Sequence, residues 1–151
     1  MDYLAALLQH RDAPPLATLS LEWNSIGTTD AGPKALAAAL AQSLSLTSLD
    51  LRNNHLGPTA VAAIADGISR SAALRSIDLR WNAAGASGGL ALEEALCGNH
   101  TMLRVQLSGN RVPPECLGRI EAHLARNGGI NTAIARFARP GVGGGGGGGG
   151  G

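Results

Sequence analysis

Leu46-Thr47-Ser48-Leu49-Asp50-Leu51-Arg52-Asn53-Asn54-His55-Leu56 is the stretch that decides the fold. Leu49 and Leu51 stand two residues apart, so on an extended strand both side chains point to one face. Leu46 leads into that strand, and Leu56 follows it after a turn holding Asn54. The same spacing returns three more times. Leu16, Leu19, Leu21, Asn24 and Ile26 form a row before it. Leu74, Ile77, Leu79, Asn82 and Ala84, then Met102, Val105, Leu107, Asn110 and Val112, form rows after it. The asparagines are 30, 28 and 28 residues apart, and a fixed period of this length is the mark of a stacked repeat.

The remainder of each repeat aligns as well. Leu36, Ile64, Leu92 and Ile120 fall in one column, and Leu40, Ile68, Leu96 and Leu124 in another four residues on. That spacing puts both on one face of a helix. Gly32, Ala60, Gly88 and Cys116 precede the first column by four residues, and their small size suits a helix pressed against the strand layer. A single strand–helix unit cannot cover its own apolar side, but stacked neighbours can. The expected fold is therefore an α/β solenoid, a right-handed β-α superhelix with parallel strands on the concave face and helices on the convex face. The asparagines are expected to form a buried ladder, Asn24, Asn54, Asn82 and Asn110, because a carboxamide has the donors and acceptor that turning backbone leaves unmatched. Two extra residues around Thr28 to Asp30 lengthen the first repeat. Gly27, Gly57 and Gly85 mark turns, Pro58 and Pro114 suit helix starts, and the Gly85 to Gly89 cluster reads as a turn rather than a phosphate loop.

Composition agrees with thin layers. Apolar residues make up 44% of the 151, yet aromatics only 3%, so Leu, Ile, Val and Ala must fill the core. The net charge of +1 gives no general pull toward nucleic acid or anionic membrane. Cys97 and Cys116 are too few for a disulfide framework and form no CxxC pair, which fits a reduced intracellular setting. His10, His55, His100 and His123 share no column, so no metal is expected, and no cofactor or small-molecule substrate. No nucleophile motif or signal sequence is evident. No apolar run reaches membrane-spanning length.

The four rows resemble the ribonuclease-inhibitor-like class of leucine-rich repeats, which includes ribonuclease inhibitor, the repeats of NOD-like receptors and the Ran GTPase-activating protein. The resemblance spans residues 16–125. A narrower likeness rests on Leu21-Glu22-Trp23-Asn24-Ser25-Ile26-Gly27, Leu49-Asp50-Leu51-Arg52-Asn53-Asn54 and Asp78-Leu79-Arg80-Trp81-Asn82. These resemble the N-terminal repeats of centrosomal leucine-rich-repeat proteins that continue into a coiled coil. The class implies a non-catalytic scaffold that binds a protein partner, cytoplasmic and associated with the centrosome or cytoskeleton. Regulation of a GTPase in the Ran manner, or a fragment of a larger repeat protein, is the alternative.

The chain divides into a partial N-terminal repeat at 1–15, with helix and lead-in loop, and four repeats at 16–127. A segment at 128–142 follows, read as a C-terminal cap with a free amphipathic tail that binds a separate partner as the alternative, then a disordered glycine tail at 143–151. Gly128 and Gly129 are expected to bend the chain into the cap, whose apolar stripe is Ile130, Ile134 and Phe137. Cys116 is expected in the core, Cys97 partly shielded, and Glu93 and Glu94 on the open helical face. Residues alternating with the strand leucines should face the partner. Among them Glu22, Asp50 and Asp78 oppose Arg52, Arg80 and Arg104, either as a solvated lattice of ion pairs or as a recognition face. Trp23 and Trp81 occupy one repeat position, either closing the strand ends or serving as binding anchors.

Overall fold

A computed structural model of the chain describes residues 15–137, with side chains described up to residue 130. The expected features at Leu4, Leu8 and His10, the side chains of Ile134 and Phe137, residues 138–142 and the glycine tract lie outside these. Among the described residues four strands alternate with four helices: β1 (Thr18–Ser20), α1 (Ala31–Gln42), β2 (Ser48–Asp50), α2 (Pro58–Arg70), β3 (Ser76–Asp78), α3 (Gly85–Gly98), β4 (Arg104–Gln106) and α4 (Pro114–Phe137). A short 3-10 turn, Ile26–Thr28, sits in the longer first repeat. The strands form one parallel sheet in chain order. Thr18 pairs with Ser48, Ser48 with Ser76 and Ser76 with Arg104, so the sheet register is the sequence register of the repeats.

Each strand is three residues long and centred on the first apolar residue of the pair, and backbone bonds to the next repeat continue beyond it, from Leu21 to Asp50, Leu51 to Asp78 and Leu79 to Gln106. Leu49, Leu51, Ile77 and Leu79 are fully buried, whereas Leu19 and Val105 in the edge strands are half-buried. The helix columns close the core from the other side. Leu36, Ile64, Leu92 and Ile120 are buried, as are Leu40, Ile68 and Leu96, and all join one apolar cluster with the strand leucines. Consecutive helices pack side by side, α1 on α2, α2 on α3 and α3 on α4.

The small column works by close approach. Gly32, Ala60, Gly88 and Cys116 are all buried. Gly88 and Gly89 lie inside α3 rather than in a turn, which corrects the reading of the Gly85 to Gly89 cluster. A side-chain carbon at Gly88 would press on Val61, and one at Gly89 would fall 2.6 Å from Val112. These two positions set how near α3 can sit to its neighbours on both sides.

Two further expectations are corrected. α4 runs without a break from Pro114 to Phe137, so Gly128 and Gly129 continue the helix instead of bending it. Glycine lowers helix stability by only about 1 kcal/mol per residue, which a long packed helix absorbs. Cys97 is exposed rather than shielded, because it lies one residue past the buried Leu96 and turns outward.

Candidate functional site

The strand face begins with the charged rows. Within β2 and its exit, the Arg52 guanidinium folds back on the Asp50 carboxylate, with Nη2 donating to Oδ2 at 2.7 Å. Arg80 does the same to Asp78 at 2.6 Å. Arg52 also reaches across to Glu22 of the preceding row at 2.6 Å and stands 3.6 Å from Asp78 of the following row. The structure thus brings Glu22, Asp50, Arg52, Asp78 and Arg80 into one string. The Arg52 guanidinium beside Asp50 holds that carboxyl below its usual range, against a smaller opposing effect of burial. Arg104 stands apart. It is exposed and meets no carboxylate among the described residues.

At the C-terminal end of each strand the backbone takes an unusual step. Trp23, Asn53, Trp81 and Gly109 occupy equivalent positions with φ of 58°, 53°, 59° and 80°. All four are left-handed. Glycine and asparagine accept this conformation readily, whereas other side chains meet the following carbonyl at a cost of about 1 kcal/mol. Trp23 and Trp81 accept that cost and remain 76% and 63% exposed.

One residue further on, the asparagines turn inward. Asn54 Nδ2 donates to the carbonyls of Leu51 and Arg52 in its own repeat and of Leu21 in the preceding one. Asn82 Nδ2 reaches Leu79, Arg80 and Leu51 in the same pattern, while its Oδ1 accepts from the Asn54 and Leu56 amides. Asn110 Nδ2 donates to Leu79 and Leu107, and its Oδ1 accepts from Ala84. Every cross-repeat bond points to the preceding repeat. Among the described residues Asn24 makes only local bonds, to Leu21 and Glu22, and it is exposed. Within the described residues the open member of the series is therefore Asn24, not Asn110, which is 1% exposed.

A second polar series was not anticipated. Ser43, Ser71, Asn99 and Asn127 are spaced by 28 residues and all buried. The Ser43 and Ser71 hydroxyls accept from the Leu46 and Leu74 amides. Asn99 accepts from Thr101 and Met102 and donates to Ile68 and Ser71, and Asn127 donates to Asn99 and Met102. Arg126 adds bonds to the Leu96, Cys97 and Asn99 carbonyls at the end of α3. The 28-residue spacing was the available signal, but serine and asparagine at helix ends pass for ordinary caps.

On the helix face, Glu93 is not an idle surface acid. Arg119 Nε donates to it at 2.6 Å and the buried Cys116 thiol at 3.7 Å. Arg119 lowers the Glu93 carboxyl, while burial first and the Glu93 charge second push the Cys116 thiol up. Cys116 therefore stays a neutral thiol. Among the described residues no group of His, Cys, Asp and Glu is arranged to hold a metal ion, and no helix is long and apolar enough to cross a membrane.

Residues 42–65, which span β2 and the first half of α2, match the family model described as "Leucine Rich repeat". No curated protein matches the chain in sequence. Among solved structures, actin-binding site 2 of leiomodin-1 is similar with a TM-score of 0.72 and 16% identity, over 90% of this chain and 94% of that one. The C-terminal domain of tropomodulin from Caenorhabditis elegans is similar with a TM-score of 0.52 and 16% identity, over 87% and 94%. Likeness at this identity is likeness of fold: the chain has the fold of a leucine-rich-repeat solenoid, with the charged string along its strands and the two tryptophans just past the ends of β1 and β3.

Proposed function

We propose that this solenoid is a non-catalytic scaffold that binds a protein through its concave face, with Glu22, Trp23, Asp50, Arg52, Asp78, Arg80, Trp81 and Arg104 as the contact residues. The observation that carries this reading is the pair of tryptophans. Each is held in left-handed backbone at a cost in strain and, left largely exposed, returns little to the core. Asparagine and glycine fill the same position in the other two repeats at less cost, so folding alone does not ask for tryptophan there. Residues kept in unfavourable conformations over-determined by their surroundings gather at binding sites, and tryptophan and arginine are among the residue types most enriched as binding anchors.

A cytoskeletal setting is the finer form of the proposal. The leiomodin-1 unit of the same fold is an actin-binding site by name, and the tryptophan- and arginine-bearing motifs resemble the N-terminal repeats of leucine-rich-repeat-containing protein 45. Monomeric actin is the first partner to test. Full-length chain is immobilised and offered a cell extract and, separately, purified monomeric actin. Trp81→Ala with Arg80→Ala should abolish capture while the melting transition stays cooperative. Gln42→Ala with Glu94→Ala, on the exposed helix side, should leave capture intact. Capture lost in the helix-side variant and kept in the tryptophan variant would overturn the concave assignment. Capture of extract protein without binding of pure actin would keep the scaffold and remove actin.

A further inference from the structure

We infer that the β3–β4 end of the concave face is a docking edge for an acidic protein segment carrying an apolar residue. Resting on the scaffold reading above, this inference specifies the chemistry of the partner. It comes from a break in the repeat pattern. Rows two and three each carry an internally neutral pair, Asp50 with Arg52 and Asp78 with Arg80. Row four replaces the pair by Gln106 and Ser108, neither charged, and places Arg104 where the other rows have Thr18, Ser48 and Ser76. The register puts Arg104 beside Ser76. Immediately before Ser76 stands Arg75, exposed, whose carbonyl accepts from the Leu103 amide at 2.8 Å and the Arg104 amide at 3.0 Å. Arg75, Leu103 and Arg104 are thus backbone neighbours where β3 and β4 begin, and all three are exposed. Neither guanidinium meets a carboxylate among the described residues, and Leu103 is 39% exposed.

The complement of two free guanidinium groups flanking a leucine is carboxylates flanking an apolar side chain. Arginine presents a planar fork that carboxylate matches with two parallel bonds. A nucleic-acid strand fits less well. Its phosphates would have to continue past Asp78, Asp50 and Glu22, and the exposed indoles on which bases stack lie at the opposite ends of the strands.

The test uses the full chain and fluorescence anisotropy. The probe is a fluorescein-labelled oligoglutamate peptide with one central leucine. The comparators are the same peptide with lysine for glutamate and a single-stranded oligothymidylate. The glutamate peptide should bind, and binding should weaken as sodium chloride is raised. Arg75→Glu with Arg104→Glu should lower affinity by roughly tenfold or more, since each attraction becomes a repulsion, and the milder Arg75→Gln with Arg104→Gln should lower it less. Leu103→Ser should weaken binding without changing its salt dependence. Lys34→Glu with Arg70→Glu makes the same change in net charge on the helix side and should leave affinity unchanged. The inference is overturned if that control loses as much, if the lysine peptide binds equally, or if the glutamate peptide does not bind. It is also overturned if oligothymidylate binds more tightly through the same two arginines. None of these outcomes depends on Trp81 or Arg80, whose capture assay decides the concave reading separately.

Discussion

The Trp81 indole lies on Gly109. A side-chain carbon at Gly109 would fall 2.6 Å from Cε3 and 3.1 Å from Cδ2 and Cζ3 of that ring. The glycine of row four is thus the floor on which the tryptophan of row three rests, while the rest of the ring stays open. Gly109→Ala should both strain a backbone at φ of 80° and push the indole off its floor. A stability loss of about 1–2 kcal/mol is expected from the left-handed strain. In a Trp23→Phe background, which leaves one tryptophan, emission should shift to the red as the ring gains water. Unchanged emission would mean that the indole does not use this floor.

The direction of the asparagine bonds makes an unequal series. Asn54, Asn82 and Asn110 each satisfy backbone of the preceding repeat, and among the described residues Asn24 satisfies only its own. Asn54→Ala and Asn110→Ala should each cost on the order of 1–3 kcal/mol, because buried carbonyls and amides lose their partners. Asn24→Ala should cost well under half of that, since water reaches the same groups. Chemical denaturation of the three variants gives the ranking. A loss at Asn24 equal to the others would show that its position is covered in solution.

How much of this was legible in advance follows from which forces repeat. Leu49, Leu51, Ile77 and Leu79 were readable because burial has a period, and a period survives substitution of Leu by Ile, Val or Met. The polar series Ser43, Ser71, Asn99 and Asn127 has the same period, yet mixed residue types and short-range capping hid it. The string from Glu22 to Arg80 was legible as charge, but not that each arginine would fold onto the acid two residues before it. Both face the same side of the strand, where a long arginine reaches back over one intervening residue. The left-handed step at Trp23 and Trp81 left a faint trace, in that Asn53 and Gly109 share the column. The continuity of α4 was misread because two glycines suggest a break, while helix packing on one side outweighs their propensity.

Truncation of the central leucines measures the core directly. Leu51 and Leu79 are 0% exposed with a repeat on each side. Leu51→Ala and Leu79→Ala should each destabilise by about 2–5 kcal/mol. Leu19→Ala, in the half-buried edge row, should cost less. Thermal melts showing under about half a kcal/mol for both central changes would contradict their burial.

Acid should find Asp50. Its carboxyl titrates below the ordinary 3.8 in the folded chain because Arg52 bonds to it. The unfolded chain therefore takes up the proton first as pH falls, so the Asp50–Arg52 contribution is complete above 3.8 and is lost as pH drops through the depressed folded value. The wild-type chain should be more stable than Asp50→Asn at neutral pH, and the two should converge below that limit. Denaturation curves at a series of pH values check this. A difference that stayed constant from neutral to strong acid would assign the effect of Asp50→Asn to packing instead of charge.

The glycines of α4 give the sharpest test of its course. Gly128 and Gly129 lie within the helix, neither has positive φ, and among the described residues no atom outside the adjoining helix backbone stands within 4 Å of where a side-chain carbon would go. Each glycine leaves the unfolded chain more freedom than alanine would, and alanine fits the helical backbone without strain. Gly128→Ala and Gly129→Ala should each raise stability by about 0.5–1 kcal/mol. For a domain of this size the pair should raise the melting temperature by several degrees, roughly 4 °C per kcal/mol. Circular dichroism should show no loss of helix. A bend at this point, closing the segment beyond it over the end of the stack, would need backbone that alanine resists. Both substitutions would then lower the melting temperature, and that result would return the two glycines to the role of a hinge.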